Sequence, residues 1–243
     1  MIYRFDTLGS TNDEAQRDIY NHGDIIIAEK QSAGRGQRGN KWLSGEGLNL
    51  TLSTIVTPNG IEVRRQFLIS QAVALAICDM LILEGLNPRI KWTNDIYIGD
   101  EKIVGILIEN KLSGGELHRS IVGIGLNVNQ REFDPELPNP TSMALASNKL
   151  FDRDAVLQNL AECLKNRFLM LEEGKYKEIA EQYHNKMYCI NEPHPFKLSS
   201  GEIQVGSIVG VESSGELLID WQSGERGAYL FGAIDFIIDR RKR

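Results

Sequence analysis

Apolar positions along the chain fall into three textures. The first 130 residues carry short apolar runs broken by turn residues. Residues 1–6 read as a short strand, and Ser10-Thr11 followed by Asp13 and Glu14 resembles a capping box opening a helix to about Tyr20. The unbroken run Ile25-Ile26-Ile27-Ala28 predicts a strand buried on both faces. Residues 48–56 alternate and read as another strand, with a Pro58-Asn59-Gly60 turn after it. Residues 62–83 form the longest helical pattern, nearly all apolar after Phe67, stopped by Gly85 and Pro88. Ile90-Lys91-Trp92 starts a strand, and Gly99-Asp100 between Ile96-Tyr97-Ile98 and Ile103-Val104 signals a hairpin. Its second arm continues over 105–111, and Ser113-Gly114-Gly115 turns it into a strand over 118–125.

The second texture is helical. After a loop marked by Pro135, Pro138 and Pro140, Asp152 or Asp154 caps a helix to about Leu171, and a second helix runs to about His184. From Cys189 the third texture begins, with frequent glycines between apolar runs at 196–198, 203–211, 217–221, 227–231 and 236–238. This is the pattern of a small β-barrel, too small to be robust alone and therefore expected to dock on the rest. The predicted fold is α/β with a mixed, largely antiparallel sheet, divided into 1–188 and 189–243. His194, between Pro193 and Pro195, reads as a linker residue.

Composition narrows the function. The chain has 243 residues and a net charge of −6, which argues against a broad basic face for nucleic acid. The Arg240-Arg241-Lys242-Arg243 run reads as a solvated tail. Cys78, Cys163 and Cys189 form no C-x-x-C pair, and the four histidines lack metal-ligand spacing. Cys78, inside an apolar helical run, reads as core. No signal peptide and no membrane-spanning run is recognised, so cytoplasm is the expected location.

Against that acidic background, Gly34-Arg35-Gly36-Gln37-Arg38-Gly39-Asn40-Lys41-Trp42 stands out. Glycines let a ligand approach the backbone, the cations pair with phosphate or carboxylate oxygens, and Trp42 offers a flat face. Gly34, Gly36 and Gly39 fit G-x-G-x-x-G, but Gly45 and Gly47 follow where a dinucleotide fold needs a helix, so that reading is rejected. A surface loop basic by chance is the plain alternative. Lys91-Trp92-Thr93-Asn94-Asp95 ends a strand with a lysine able to enter a cleft. Read alone, it is equally a surface lysine beside a core tryptophan. Gly123-Ile124-Gly125-Leu126-Asn127 permits another close backbone approach, with Asn127 suited to a phosphate or a metal-bound water, or simply to a turn. Ser10, Thr11 and Asn12 serve as caps or as polar contacts, and Gln31 can pair with a polar ring. With no Ser-His-Asp order, paired catalytic carboxylates or P-loop, this inventory suits bringing two anions together.

Taken in order, Ser10-Thr11-Asn12, Gln31, Gly34 to Trp42, Lys91 to Asp95, Gly105-Ile106-Leu107-Ile108-Glu109 and Gly123 to Asn127 resemble the motifs of bacterial biotin–protein ligases (biotin–[acetyl-CoA-carboxylase] ligases). The resemblance covers nearly the whole chain. It implies a catalytic domain with a C-terminal SH3-like barrel and two half-reactions. Biotin and MgATP would give biotinyl-5′-AMP, and a lysine of a biotin carboxyl carrier domain would then displace AMP. By resemblance, Ser10, Thr11, Asn12, Gln31, Gly34, Gly123 and Gly125 bind biotin. Arg35 and Lys91 hold its carboxylate and the α-phosphate. Arg38 sits on phosphate, and Gln37, Trp42 and Asn94 contact the adenylate. Asn127 lies near phosphates and Mg²⁺, with no certain protein metal ligand. Lys91, Arg35 and Arg38 are the expected catalytic residues.

Two departures are visible. Gln37 stands where some members have arginine, and Thr93 replaces the usual proline. With Ser10 so near the start, a ligase without the helix-turn-helix of repressor members is expected, hence no operator binding. Homodimerisation through sheet edges is plausible by resemblance. The rivals are a lipoate or octanoate ligase or transferase, and a non-catalytic ligand-binding regulator.

Overall fold

The computed structural model describes residues 1–58, 60–113 and 116–238, with the side chains of Arg38 and Ser113 outside the described set. The expected C-terminal basic tail and the Asn59 and Gly114-Gly115 turn positions also lie outside it. Seven strands form the main sheet: β1 (Ile2–Leu8), β2 (Ile25–Gln31), β3 (Leu50–Val56), β4 (Pro88–Lys91), β5 (Asp95–Ile98), β6 (Glu101–Ser113) and β7 (Glu116–Leu126). Their order is β1-β2-β3-β7-β6-β5-β4. Of the main-sheet pairs, β1 and β2 run parallel and the others antiparallel, as the hairpin signals lead one to expect for β5–β6 and β6–β7.

Strand alternation separates two layers of core. Ile25 and Ile27 of β2, Leu50 and Leu52 of β3 and Val122, Ile124 and Leu126 of β7 join the large core. Their neighbours Ile26, Ile55 and Ile121 face the other way and pack with Ala15 and Tyr20. The apolar run in β2 is therefore buried on both faces, as expected. On β7 the face bearing Ile121 continues through residues 123 and 125, both glycine, which leaves backbone bare there.

Helices cover the large-core face. α2 (Phe67–Leu83) is buried along most of its length and packs against α4 (Arg153–Glu172) and α5 (Tyr176–Lys186). Residues Val63–Leu83 are long and apolar enough to cross a membrane, contrary to the sequence reading, but most of this run is inside the fold and serves as core. Cys78 on α2 is fully buried, and desolvation raises its thiol pKa to about 12. α2 ends as expected: Gly85 takes φ +82°, its N–H bonds Ile82 O, and Leu86 N–H bonds Leu81 O. Asp152 caps α4 by accepting from the N–H groups of Asp154 and Ala155.

Several expectations need correction. The first helix, α1, spans only Thr11–Glu14. Ser10 makes no side-chain cap bond, and the carbonyls of Ala15 and Arg17 accept from Arg119 Nη2 instead of continuing a helix. A 3-10 turn at Val63–Arg65 precedes α2, which begins at Phe67. A short helix, α3 (Met143–Ser147), lies in the stretch read as loop, capped by Ser142. His194 belongs to a strand, with its ring 5.2 Å from Phe196 and 5.8 Å from Phe236.

The C-terminal strands β8 (Pro193–Leu198), β9 (Ile203–Val211), β10 (Leu217–Trp221), β11 (Arg226–Tyr229) and β12 (Ile234–Phe236) form one antiparallel sheet, in the order β11-β10-β9-β8-β12. Phe196, Ile208, Leu217, Ile219 and Ile234 share the core of the main domain. Trp92 Nε1 donates to Gly215 O at 2.9 Å, and Tyr188 N–H donates to Ile90 O at 2.8 Å. The small sheet is thus docked beside the end of β4.

Candidate active site

A cavity of about 460 Å³ opens over the β6–β7 floor. Cross-strand partners Gly105 and Gly125 form that floor together with Gly123. A Cβ on Gly125 would lie 2.1 Å from the Trp42 ring, and one on Gly123 would lie 2.4 Å from Asn12 Oδ1. Glycine is required at both by close approach rather than by backbone angle.

One wall is a neutral hydrogen-bond network at the start of α1. Gln31 Oε1 accepts from Thr11 N–H at 2.7 Å and from Thr11 Oγ1 at 3.1 Å. Ser53 Oγ lies 2.8 Å from Thr11 Oγ1 and 2.6 Å from Asn12 Oδ1. Asn12 Nδ2 donates to Glu109 Oε2 at 2.7 Å. Ser10, Thr11 and Asn12 are buried, and the side chains of Thr11 and Asn12 are preset through Gln31, Ser53 and Glu109.

The glycine-rich loop forms the roof. It folds as a narrow hairpin: Trp42 N–H bonds Gly34 O, Gly36 N–H bonds Asn40 O, and a 3-10 turn fills Gln37–Gly39. No helix opens after its glycines, consistent with rejecting the dinucleotide reading. Trp42 lies flat on the glycine floor, and its buried Nε1 has no hydrogen-bond partner. Arg35 Nη2 donates to Asp13 Oδ1 at 2.6 Å and Glu109 Oε2 at 3.2 Å. Gln37 Nε2 donates to Ile106 O at 3.4 Å.

The opposite wall is charged. Lys91 ends β4, and its Nζ stands 4.6 Å from the Phe236 ring centroid and 5.6 Å from that of Tyr97. Burial lowers its pKa, Asp95 opposes that shift, Lys102 reinforces it, and Asp235 opposes it. Asp95 Oδ1 pairs with Lys102 Nζ at 2.7 Å. Asn94 also lines the cavity, and its buried Oδ1 is unpaired. The Trp92–Thr93 peptide bond between these groups is cis.

The structure therefore gathers Ser10, Thr11, Asn12, Gln31, Arg35, Gln37, Trp42, Lys91, Asn94, Gly123 and Gly125 around one cavity. Gly34 lines an adjoining depression on the loop's other flank, where a Cβ would sit 2.7 Å from Trp42 O. Arg38 contributes backbone to the loop, and its side chain lies outside the described residues. Asn127 is not brought to the cavity lining. It is buried, its Nδ2 bonds Thr141 O at 2.9 Å, and its backbone pairs with Ile103 and Met143, so it braces the 141–143 turn. The motifs also missed residues. Phe231 and Asp235 enter from the C-terminal sheet, for which no local signal exists. Lys102 sits opposite Tyr97 in a hairpin whose turn was legible, so its position was findable from register.

A cavity with a preset neutral wall, a bare glycine floor and a buried lysine is built for a polar ring joined to anionic groups. Residues 5–127 match the biotin/lipoate A/B protein ligase family, and the chain belongs to that family. It is 30% identical over 236 residues to the bifunctional ligase/repressor BirA of Bacillus spizizenii, covering 94% of this chain and 72% of that protein. It is 27% identical over 204 residues to the biotin–[acetyl-CoA-carboxylase] ligase of Mycobacterium tuberculosis, covering 82% of this chain and 73% of that one. The biotin protein ligase of Aquifex aeolicus, solved in complex with biotin and ATP, superposes with a TM-score of 0.82 at 27% identity, covering 98% and 99% of the two chains.

Proposed function

We propose that this chain is an ATP-dependent biotin–protein ligase. It joins biotin to AMP and passes the biotinyl group to a lysine of a biotin-dependent carboxylase, within its carboxyl carrier domain. The observation that carries this reading is the pairing of two unlike walls across one glycine floor. The Thr11–Gln31–Ser53–Asn12 network offers fixed neutral donors and acceptors, which suits a ureido ring rather than a bare acyl chain. Lys91 faces it from the far side with a desolvated ammonium, where a carboxylate and a phosphate would otherwise repel.

In the first half-reaction Lys91 and Arg35 neutralise the biotin carboxylate and the α-phosphate. Arg35 must first leave Asp13 and Glu109, which act as anion stand-ins without ligand. Trp42 and the loop backbone cover the adenylate and keep water from the mixed anhydride. Asn94 offers its unpaired Oδ1 to a ligand donor. In the second half-reaction Lys91 stabilises charge on the α-phosphate as AMP departs. Magnesium would be carried chiefly by the nucleotide phosphates, as Mg²⁺ in nucleotide sites usually is. We read 1–188 as the catalytic unit and 189–243 as an appended unit that completes its cavity. Homodimers would form through β1, one edge of the main sheet; at the other edge Ile90 of β4 already bridges Met187.

The test is incubation with MgATP and, separately, biotin, lipoate or octanoate, with mass detection of the acyl-adenylate. Biotinyl-AMP alone is expected. A lipoyl- or octanoyl-adenylate would move the chain to the sister activity, and no adenylate from folded, ligand-binding protein would make it a regulator.

A further inference from the structure

The turn that carries Asn94 joins β4 to β5 through residues 92–94, and each of them is tethered to a different element. Trp92 Nε1 donates to Gly215 O, in the turn between β9 and β10. Asn94 O accepts from Ile106 N–H of β6 at 3.1 Å. Thr93 O accepts from the Tyr183 hydroxyl of α5 at 3.1 Å, across 90 positions of sequence. This last tether comes from outside the site, since α5 belongs to the helical layer and Tyr183 is not among the residues lining the cavity.

Tyr183 is fully buried in the large core, with its ring edge-on to Phe67 at 5.6 Å between centroids. Phenylalanine would serve that packing equally well, and a buried hydroxyl costs free energy unless it is bonded. The hydroxyl is therefore accounted for by its bond to Thr93 O, which the dry surroundings strengthen. Burial also raises the phenol's pKa, so it stays protonated and donating. On the cavity side of the same turn, the Asn94 Oδ1 is buried and has no hydrogen-bond partner. An unmatched buried acceptor gains from a ligand donor only where it is held in place, because a small displacement loses the bond.

The inference rests on the ligase reading and deepens it. We propose that Tyr183 is a positioning residue for adenylation: its hydroxyl holds the Thr93 carbonyl and thereby aims the Asn94 amide at the nucleotide. Tyr183 touches no ligand and takes no part in bond making. It lends the charged wall a rigid backing from the helical layer, whereas the neutral wall is braced within its own strands and α1. Its removal should therefore harm the chemistry and spare biotin recognition.

Single-turnover formation of biotinyl-AMP at saturating biotin and MgATP is compared for wild type, Tyr183→Phe, Asn94→Ala and the double variant, with biotin titrations and melting curves alongside. Tyr183→Phe keeps the ring against Phe67 and should melt close to wild type. It should slow adenylation about tenfold, while the biotin Kd stays within about twofold of wild type. Since the hydroxyl acts through Asn94, its loss should matter little once that amide is gone. In the Asn94→Ala background Tyr183→Phe should change the rate by less than about threefold. An equal loss in both backgrounds, unimpaired adenylation or a weakened biotin Kd would overturn the assignment. A Tyr183→Phe chain that fails to fold would overturn it too, by making the hydroxyl a structural group. A wild type that makes no biotinyl-AMP would overturn the ligase reading, and this inference with it.

Discussion

The two walls of the cavity solve different physical problems. The wall from α1, β2 and β3 presents the neutral side chains of Thr11, Gln31, Ser53 and Asn12 bonded to one another, with Asn12 Nδ2 held by the Glu109 carboxylate. The wall from β4, β5 and the C-terminal sheet carries Lys91 against the rings of Phe236 and Tyr97, with Asp95 between it and Lys102. A preset neutral network discriminates by shape and hydrogen bonding, because an unmatched buried polar atom costs about 1–3 kcal/mol. A desolvated cation discriminates little, yet it stabilises developing negative charge strongly. On the proposed reading recognition and chemistry are housed on opposite sides, and substitutions on each side should fail differently.

The largest effect is expected from Lys91→Ala, which removes the charge without disturbing the neutral wall. Labelling of a carrier domain should fall by about 10²–10³-fold or more, with biotin binding retained. Undiminished turnover would remove Lys91 from its role. Gly125→Val comes next, because a Cβ there already overlaps the Trp42 ring and must expel it from the floor. Its overpacking should cost about 1–3 kcal/mol, seen as a weaker apparent affinity for ATP or a lowered melting temperature. Unchanged nucleotide affinity and stability would mean that the Trp42 position does not matter. Gln31→Ala should weaken biotin binding by about 10–100-fold in a titration, since Thr11 loses the acceptor of two bonds. Its KM for ATP should stay near the wild-type value.

The smallest effect concerns pH. Burial lowers the Lys91 pKa, so its charged form is the one disfavoured by the site and is lost earlier as pH rises. Adenylation should decline on the alkaline side with a midpoint below about 10.4, the ordinary lysine value. Lys91→Arg should flatten that limb. A limb unmoved by this substitution would assign the titration to another group.

Legibility in the sequence divides along the same line as the walls. Ser10-Thr11-Asn12, Gln31 and the glycine loop each lie within a short segment, but their contacts follow from β2 and β3 lying side by side, a pairing that no hairpin signal marked. The glycines of β7 were legible because residues 123 and 125 share a face by strand alternation. The charged wall was legible at Lys91, Asn94 and Asp95 by motif, and at Lys102 only through hairpin register. Phe231, Asp235 and Phe236 reach it through docking of a sheet more than 100 residues away along the chain, which no local pattern encodes. Asn127 stands apart: its motif pointed to ligand, whereas the structure places it off the cavity lining with its Nδ2 donating to Thr141 O. The first helix was overestimated because Arg119, distant in sequence, takes the carbonyls that would have continued it.

The division between recognition and chemistry is tested most directly by single-turnover formation of biotinyl-AMP at saturating biotin and MgATP in Gln31→Ala and Lys91→Met. The account predicts a rate near wild type for the glutamine variant once biotin saturates, and a rate lower by about 10²-fold or more for the lysine variant. The reverse pattern, a slow glutamine variant beside a fast lysine variant, would contradict it.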